Sequence, residues 1–258
     1  MFDLSFSFDG RLARLTLCAP ERLNALRRDD WRALADLLNR EISPLRALRA
    51  LLIDGAGDRA FCAGGDIKEF ADIRLGADAA QAYNNDVDHA LHALAAVPVP
   101  TLVRIHASCF GGGLMLALAC DLRYAAAQAD FCAPPAKMGF TYNMSALKRL
   151  MALIGPGASR ELLFTARTIS AQEAMSLGLV NAVTDTITGL DALLDDRIAE
   201  IVALSPLSHR AHKRLLDEQP VPGSLAERSL TDHLYDSDDY RHAVDAFINR
   251  SKPEFKGR

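Results

Sequence analysis

The chain has 258 residues, is 50% hydrophobic and 24% charged, and carries a formal net charge of −4 with a pI near 6.0. This is the profile of a globular protein with a large core, and the lack of a basic stripe interleaved with aromatics excludes a dedicated nucleic-acid surface. No apolar run reaches the roughly 18 residues of a membrane span.

The N-terminal "MFDLSFSFDG" lacks the basic region and long apolar run of a signal peptide. Arg11–Leu17, "RLARLTL", alternates in part and predicts a strand. "DDWRALADLLNREI" places Trp31, Leu34, Leu38 and Ile42 at helical spacing behind an Asp cap. Leu48–Asp54 predicts a short buried strand that ends in a loop, "GAGDRAFCAGGD". A short helix, "DIKEFADI", then a longer one through "NNDVDHALHALAAV" precede the strand in "PVPTLVRIHA". "GGGLMLALACD" is apolar all round, which marks a deeply buried helix, and "DLRYAAA" predicts another strand. Ser170-x-x-Glu173 is a capping box, and Gly178 stops the helix it opens. Strand–helix alternation predicts an α/β fold. Beyond about residue 190 only helical patterns follow, with "QPVPGS" as a linker, so the expected division is an α/β core over 1–190 and a helical region over 191–258. The five cysteines show no Cys-x-x-Cys spacing, and a cytoplasmic protein with reduced thiols is expected.

Two glycine-rich runs stand out, Phe61–Asp66 ("FCAGGD") and Cys109–Leu114 ("CFGGGL"). Neither is a phosphate loop, since no Lys-Ser or Lys-Thr pair follows. Gly55, Gly57 and Ala60 match a dinucleotide turn after a strand, but Gly64 and Gly65 interrupt the helix that such a site needs. Each run alone fits a plain turn or the close packing of a helix start. Together they make two helix N-termini with free N–H groups, able to hold the oxyanion of a thioester carbonyl.

"AFCAGGDIKEF" and "CFGGGLMLALACDLRYA" resemble the two signatures of the enoyl-CoA hydratase/isomerase (crotonase) superfamily. "ERLNAL", "AMSLGLVNAV" and "AFINRSKPEFKGR" match at the expected order and separation, so the likeness spans essentially the whole chain. The resemblance implies a spiral of ββα units with a C-terminal helical trimerisation region, as a homotrimer or dimer of trimers. It implies an acyl-CoA thioester as substrate and no metal or redox cofactor. Gly65 and Gly112 fall on its two oxyanion-hole positions. Ala63, Asp66 and Ile67 fall beside the first of them, Ala63 and Ile67 where the family backbone meets adenine. Arg22 precedes the Asn-Ala-Leu motif where CoA passes, and Phe247 and Arg250 fall where the tail closes over CoA, often that of a neighbouring subunit.

The chain departs from the family at two places. The glutamates that handle water and the α-proton in hydratases are Met115 and Pro135 here, and neither side chain transfers a proton. A hole without its carboxylates suits a reaction that makes an enolate unaided, and decarboxylation of a malonyl-type thioester does so. "AKMGFTYN" also resembles the Tyr-Asn segment of methylmalonyl-CoA decarboxylases, which makes Tyr142 the polar candidate near the reacting carboxylate. The alternatives are isomerisation or hydration by a relocated acid, and an acyl-CoA-binding protein without catalysis. His89, His92, His209 and His212 lack a third ligand and are taken as surface or packing residues, and His106 as loop support.

Overall fold

The structure, a computed structural model, describes residues 1–258. The chain opens with an antiparallel hairpin of β1 (Phe2–Ser7) and β2 (Leu12–Leu17), followed by α1 (Arg28–Leu37). Three strand–strand–helix units come next. The first is β3 (Ala50–Gly55), β4 (Ala60–Cys62), the short α2 (Phe70–Ile73) and the long α3 (Ala77–Ala95). The second is β5 (Thr101–Ile105), β6 (Ser108–Phe110) and α4 (Gly112–Ala119). The third is β7 (Leu122–Ala126), β8 (Asp130–Cys132) and α5 (Met144–Thr165). The series closes with β9 (Thr168–Ser170), α6 (Ala171–Ser176) and β10 (Ala182–Thr184).

Each unit sends its first strand to one sheet and its second to another. The larger sheet runs β1-β2-β3-β5-β7-β10 and the smaller β4-β6-β8-β9, so successive units step one strand sideways in both sheets. This is the expected spiral of ββα units. Every residue of β3 is buried, as a parallel strand covered on both faces requires. The main core fills the space enclosed by the two sheets and the helices α1, α3, α4 and α5. A second apolar cluster lies on the opposite face of the large sheet, under α7 (Ile187–Ala203) through Leu190, Leu194, Ile198 and Val202. The division expected at residue 190 therefore falls inside a helix that packs on the sheet. Beyond it, α8 (Pro206–Glu218), α9 (Leu225–Tyr235) and α10 (Asp238–Ile248) leave Leu216, Leu225, Phe247 and Ile248 exposed. No helix is long and apolar enough to cross a membrane. All five cysteines are free thiols, four of them buried.

Local differences from the sequence reading have local causes. The segment read as a loop after β3 contains β4, whose three residues are too few to show alternation. The same shortness hides β6, β8, β9 and β10. Helix α5 is missed because Gly155-Pro156-Gly157 interrupts it, and Gly155 (φ +74°, ψ 168°) joins two helical pieces at a kink. Helix α1 is capped differently from the expectation: the Asp30 carboxylate reaches back to the Arg27 N–H at 2.8 Å. At α6 the Ser170 hydroxyl accepts from the Glu173 N–H, but the Glu173 carboxylate is taken by Arg167, so only half of the box forms.

Helix α4 starts in contact with β4. A Cβ added to Gly113 would lie 2.3 Å from the Cys62 carbonyl oxygen, whereas one added to Gly157 meets nothing within 4 Å. Gly113→Ala is expected to cost about 1–3 kcal/mol through forced backbone shifts. Gly157→Ala, in a helix interior, is expected to leave stability unchanged or raise it by up to about 1 kcal/mol. Urea melting curves of the two variants check the contrast.

Candidate active site

The site grows from a clamp between two loops. Asn24 is fully buried, and its amide donates to the carbonyls of Ala56, Ala60 and Phe61 while its Oδ1 accepts from the Ala19 N–H. It thereby fixes Leu23–Leu26 against the end of β4. The Leu26 N–H donates to the Gly64 carbonyl (2.7 Å) and the Asp66 N–H to the Leu26 carbonyl (2.8 Å). Both groups flanking Gly65 are spent on Leu26, so the Gly65 N–H faces the opposite side, as alternation along a paired strand dictates.

That side is occupied by the start of α4. A Cβ on Gly64 would sit 3.1 Å from the Gly112 nitrogen, and one on Gly112 would sit 3.3 Å from the Gly65 nitrogen. Gly64 (φ +112°) and Gly111 (φ +53°) hold backbone conformations that side chains rarely adopt. Gly112 is the first residue of α4, where the amide has no intrahelical acceptor. Neither amide donates to another group of the chain. Two free N–H groups thus lie side by side, and both glycines line one cleft.

The cleft walls are apolar or neutral, with one exception. Trp31, Phe70, Val87, Met115, Pro134, Pro135, Met138 and Phe140 line it, and no Asp, Glu, His or Lys does. Met115 is the one residue of α4 that is not buried. The two positions where the resemblance expects glutamates, Met115 and Pro135, therefore do open on the cleft, with side chains that have no proton to move. Tyr83, on α3, brings its hydroxyl within 3.1 Å of the Cβ position of Gly65. Burial pushes the Tyr83 phenol up to about 12, partly offset by the nearby Trp31 indole. Tyr142 lines the same cleft, but its hydroxyl is buried without a partner in the company of the Cys132 and Cys109 thiols. Burial raises its pKa well above the ordinary phenol range. Asn143 caps α5 and ties it to Asp88 on α3, which holds the Tyr142 loop in place. The exception is Arg74, at the end of α2, whose guanidinium enters the cleft.

Of the residues singled out by sequence, Gly65, Gly112, Tyr142, Ala63 and Ile67 come together in the cleft. Arg22, Asp66, Phe247 and Arg250 do not line it. Arg22 is held by Asp30 at 2.8 Å. The Asp66 carboxylate accepts from Arg27 Nε at 2.9 Å and caps the turn at Lys68, and the Arg27 bond holds it below the usual carboxylate range. Phe247 and Arg250 sit exposed at the end of α10, away from the cleft of their own chain. Sequence reasoning gave Tyr83 no role and missed Arg74 as a site residue. Neither belongs to a motif, and both lie on the stretch between the first glycine run and β5.

The model of the enoyl-CoA hydratase/isomerase family matches residues 7–258. The short-chain-enoyl-CoA hydratase of Clostridium acetobutylicum is 30% identical over 97% of this chain and 96% of its own length. Among solved structures, an enoyl-CoA hydratase/carnithine racemase from Magnetospirillum magneticum superposes with a TM-score of 0.94 at 34% identity, covering 100% of this chain and 96% of that one. An enoyl-CoA hydratase from Bacillus anthracis superposes with a TM-score of 0.91 at 26% identity, covering 100% and 99%.

The paired amides give a direct test. Gly112→Ala and Gly112→Pro both add a carbon at the Cβ position, and proline is tolerated at a first helical residue, so the two differ chiefly in the N–H. Turnover of the proline variant is expected to fall about 100-fold or more below that of the alanine variant, the usual cost of one oxyanion donor. Steady-state kinetics on the same thioester checks it.

Proposed function

The chain belongs to the enoyl-CoA hydratase/isomerase family, and on that premise we propose that it decarboxylates a malonyl-type acyl-CoA thioester. The observation that supports this reading is a cleft with two free amides and no carboxylate, imidazole or amine on its walls. The thioester oxygen accepts hydrogen bonds from the Gly65 and Gly112 N–H groups. The bond between the α-carbon and the carboxylate then breaks, CO₂ leaves, and the electron pair passes into the enolate, whose oxygen carries the charge that the two amides stabilise. No base is needed, because the leaving group is CO₂ rather than a proton. The enolate takes up a proton at its α-carbon to give the acyl-CoA product.

Tyr83 is the donor this geometry favours for that proton. Its hydroxyl is next to Gly65, whereas the Tyr142 hydroxyl is enclosed near two thiols. A thioester enolate is more basic than a phenolate, so the transfer runs downhill, and solvent restores the phenol. Hydration by a relocated carboxylic acid has no candidate among the cleft residues, since none of them is Asp or Glu. In the same reading the exposed apolar side chains of α8–α10 meet other copies in a homotrimer or dimer of trimers. Phe247 and Arg250 then reach the CoA of a neighbour, and no separate cofactor takes part.

A panel of crotonyl-CoA, a 3-enoyl-CoA and methylmalonyl-CoA tests the reaction. Release of CO₂ from methylmalonyl-CoA with slow or absent turnover of the other two is expected. Rapid hydration of crotonyl-CoA overturns the reading, and binding of all three without turnover identifies a non-catalytic acyl-CoA-binding protein.

Tyr83→Phe is expected to lower kcat about 100-fold, the scale of one general acid, and Tyr142→Phe less than about threefold. A phenol raised to about 12 stays protonated across the neutral range. The wild-type kcat is therefore expected to stay flat between about pH 6 and pH 9, where an imidazole base would impose a limb. A pH profile of kcat for the wild type and both variants checks these outcomes.

A further inference from the structure

Arg74 is the one charged side chain that lines the cleft. Its guanidinium carbon lies 4.6 Å from the Phe70 ring centre, 4.9 Å from that of Tyr83 and 4.2 Å from that of Phe140. One nitrogen donates to the Asn84 side-chain oxygen at 2.9 Å. The remaining N–H groups of this five-donor fork have no acceptor in the chain. The contrast with other arginines near the site is plain. Arg22, Arg27 and Arg28 are each paired with an aspartate, whereas Arg74 makes no ion pair. Partial burial pulls its pKa down from the ordinary value, which marks a cation held away from water without a counter-charge.

Three rings hold the guanidinium plane, and its free edge is left for a planar anion. A carboxylate matches that fork in charge and geometry. Tyr83 links Arg74 to the paired amides, since its ring lies under the guanidinium and its hydroxyl reaches Gly65. A single phenol ring therefore separates the cation from the place where a thioester oxygen would rest, a gap that a short acyl chain bridges.

We propose that Arg74 is the specificity-determining residue of the acyl pocket, docking a carboxylate borne by a short dicarboxylic acyl group. The inference rests on reading the Gly65 and Gly112 amides as the thioester site, but not on which reaction follows. An ion-paired carboxylate is stabilised before it reacts, so Arg74 docks and orients the acyl group while bond breaking is driven at the amides. Asn84 positions the fork, and Phe140 closes it from the far side.

Isothermal titration of the full-length protein with matched thioesters tests the assignment. Butyryl-CoA is compared with succinyl-CoA, pentanoyl-CoA with glutaryl-CoA, and free CoA is the reference. Propionyl-CoA and malonyl-CoA are compared by the binding phase of stopped-flow traces, before turnover. In at least one pair the wild type is expected to bind the carboxylate-bearing thioester about 10-fold to 100-fold more tightly, the range of a charge-assisted pair. Arg74→Met is expected to abolish that preference while the affinities for butyryl-CoA and free CoA stay within about twofold. No preference in any wild-type pair overturns the proposal, and that measurement needs no variant. Equal weakening of free CoA by Arg74→Met also overturns it, because Arg74 would then meet the CoA phosphates. Failure of every CoA thioester to bind the wild type sinks the thioester-site reading itself, whereas a retained preference without CO₂ release removes only the decarboxylation.

Discussion

The site depends on how closely two backbones approach. The end of β4 and the start of α4 touch at Gly64, Gly65 and Gly112 with no side chain between them, and Gly113 lies against the Cys62 carbonyl. A side chain at Gly113 would push α4 off the sheet, and one at Gly64 would collide with the Gly112 amide. Because the approach is backbone on backbone, the two free N–H groups are held by the packing of the spiral rather than by flexible side chains. On the proposed reading, donors fixed in this way need no reorganisation when charge develops on a bound oxygen. Asn24 serves the same end from the other side, since its buried amide group spends its hydrogen bonds on holding the loop that turns Gly65 inward.

The shape of the cleft does not depend on the side chains at Met115 and Pro135. Met115 belongs to a helix whose other residues are buried, and Pro135 opens a short turn after β8. Both positions open on the cleft, yet neither side chain there supports the amides. The polar character of the cleft comes from the segment after the first glycine run, through Arg74, Tyr83 and Asn84, and from the Tyr142 loop. On the proposed reading, the frame that holds the thioester oxygen and the two segments that meet the rest of the acyl group are separate parts of the molecule.

This separation sets how much was legible in the sequence. The two glycine runs, the buried helix that the second one opens and the strand–helix order could be read directly, because close approach demands glycine and a helix buried on all sides is apolar on all sides. Gly65 and Gly112 were legible for the same reason. The three-residue strands of the smaller sheet were not, since nothing in three residues separates a strand from a loop. Helix α5 was hidden by the glycine and proline at its kink. Arg74 and Tyr83 were hidden because their partners are distant in sequence. The Tyr83 hydroxyl meets Gly65, 18 positions earlier, and Arg74 joins Phe140 across the cleft. Asp66, placed by its sequence beside the first hole glycine, caps the turn at Lys68 and pairs with Arg27, a pairing no local pattern announces.

The electrostatic balance of the cleft follows from the same facts. Arg74 is half-buried with no counter-charge, and a desolvated charge is costly unless something pairs with it. Three aromatic faces offset part of that cost for Arg74 through cation–π contact, but they supply no acceptor for its N–H groups. An anion arriving with the ligand supplies both charge and acceptors. Met115 and Pro135 bring no acid to the cleft, and Arg74 brings one unpaired cation. On the proposed reading, the negative charge of the working site then comes with the bound acyl group rather than from the protein. A neutral phenol is the acid compatible with that arrangement, because a carboxylate at the same place would pair with Arg74 and compete with the ligand for it.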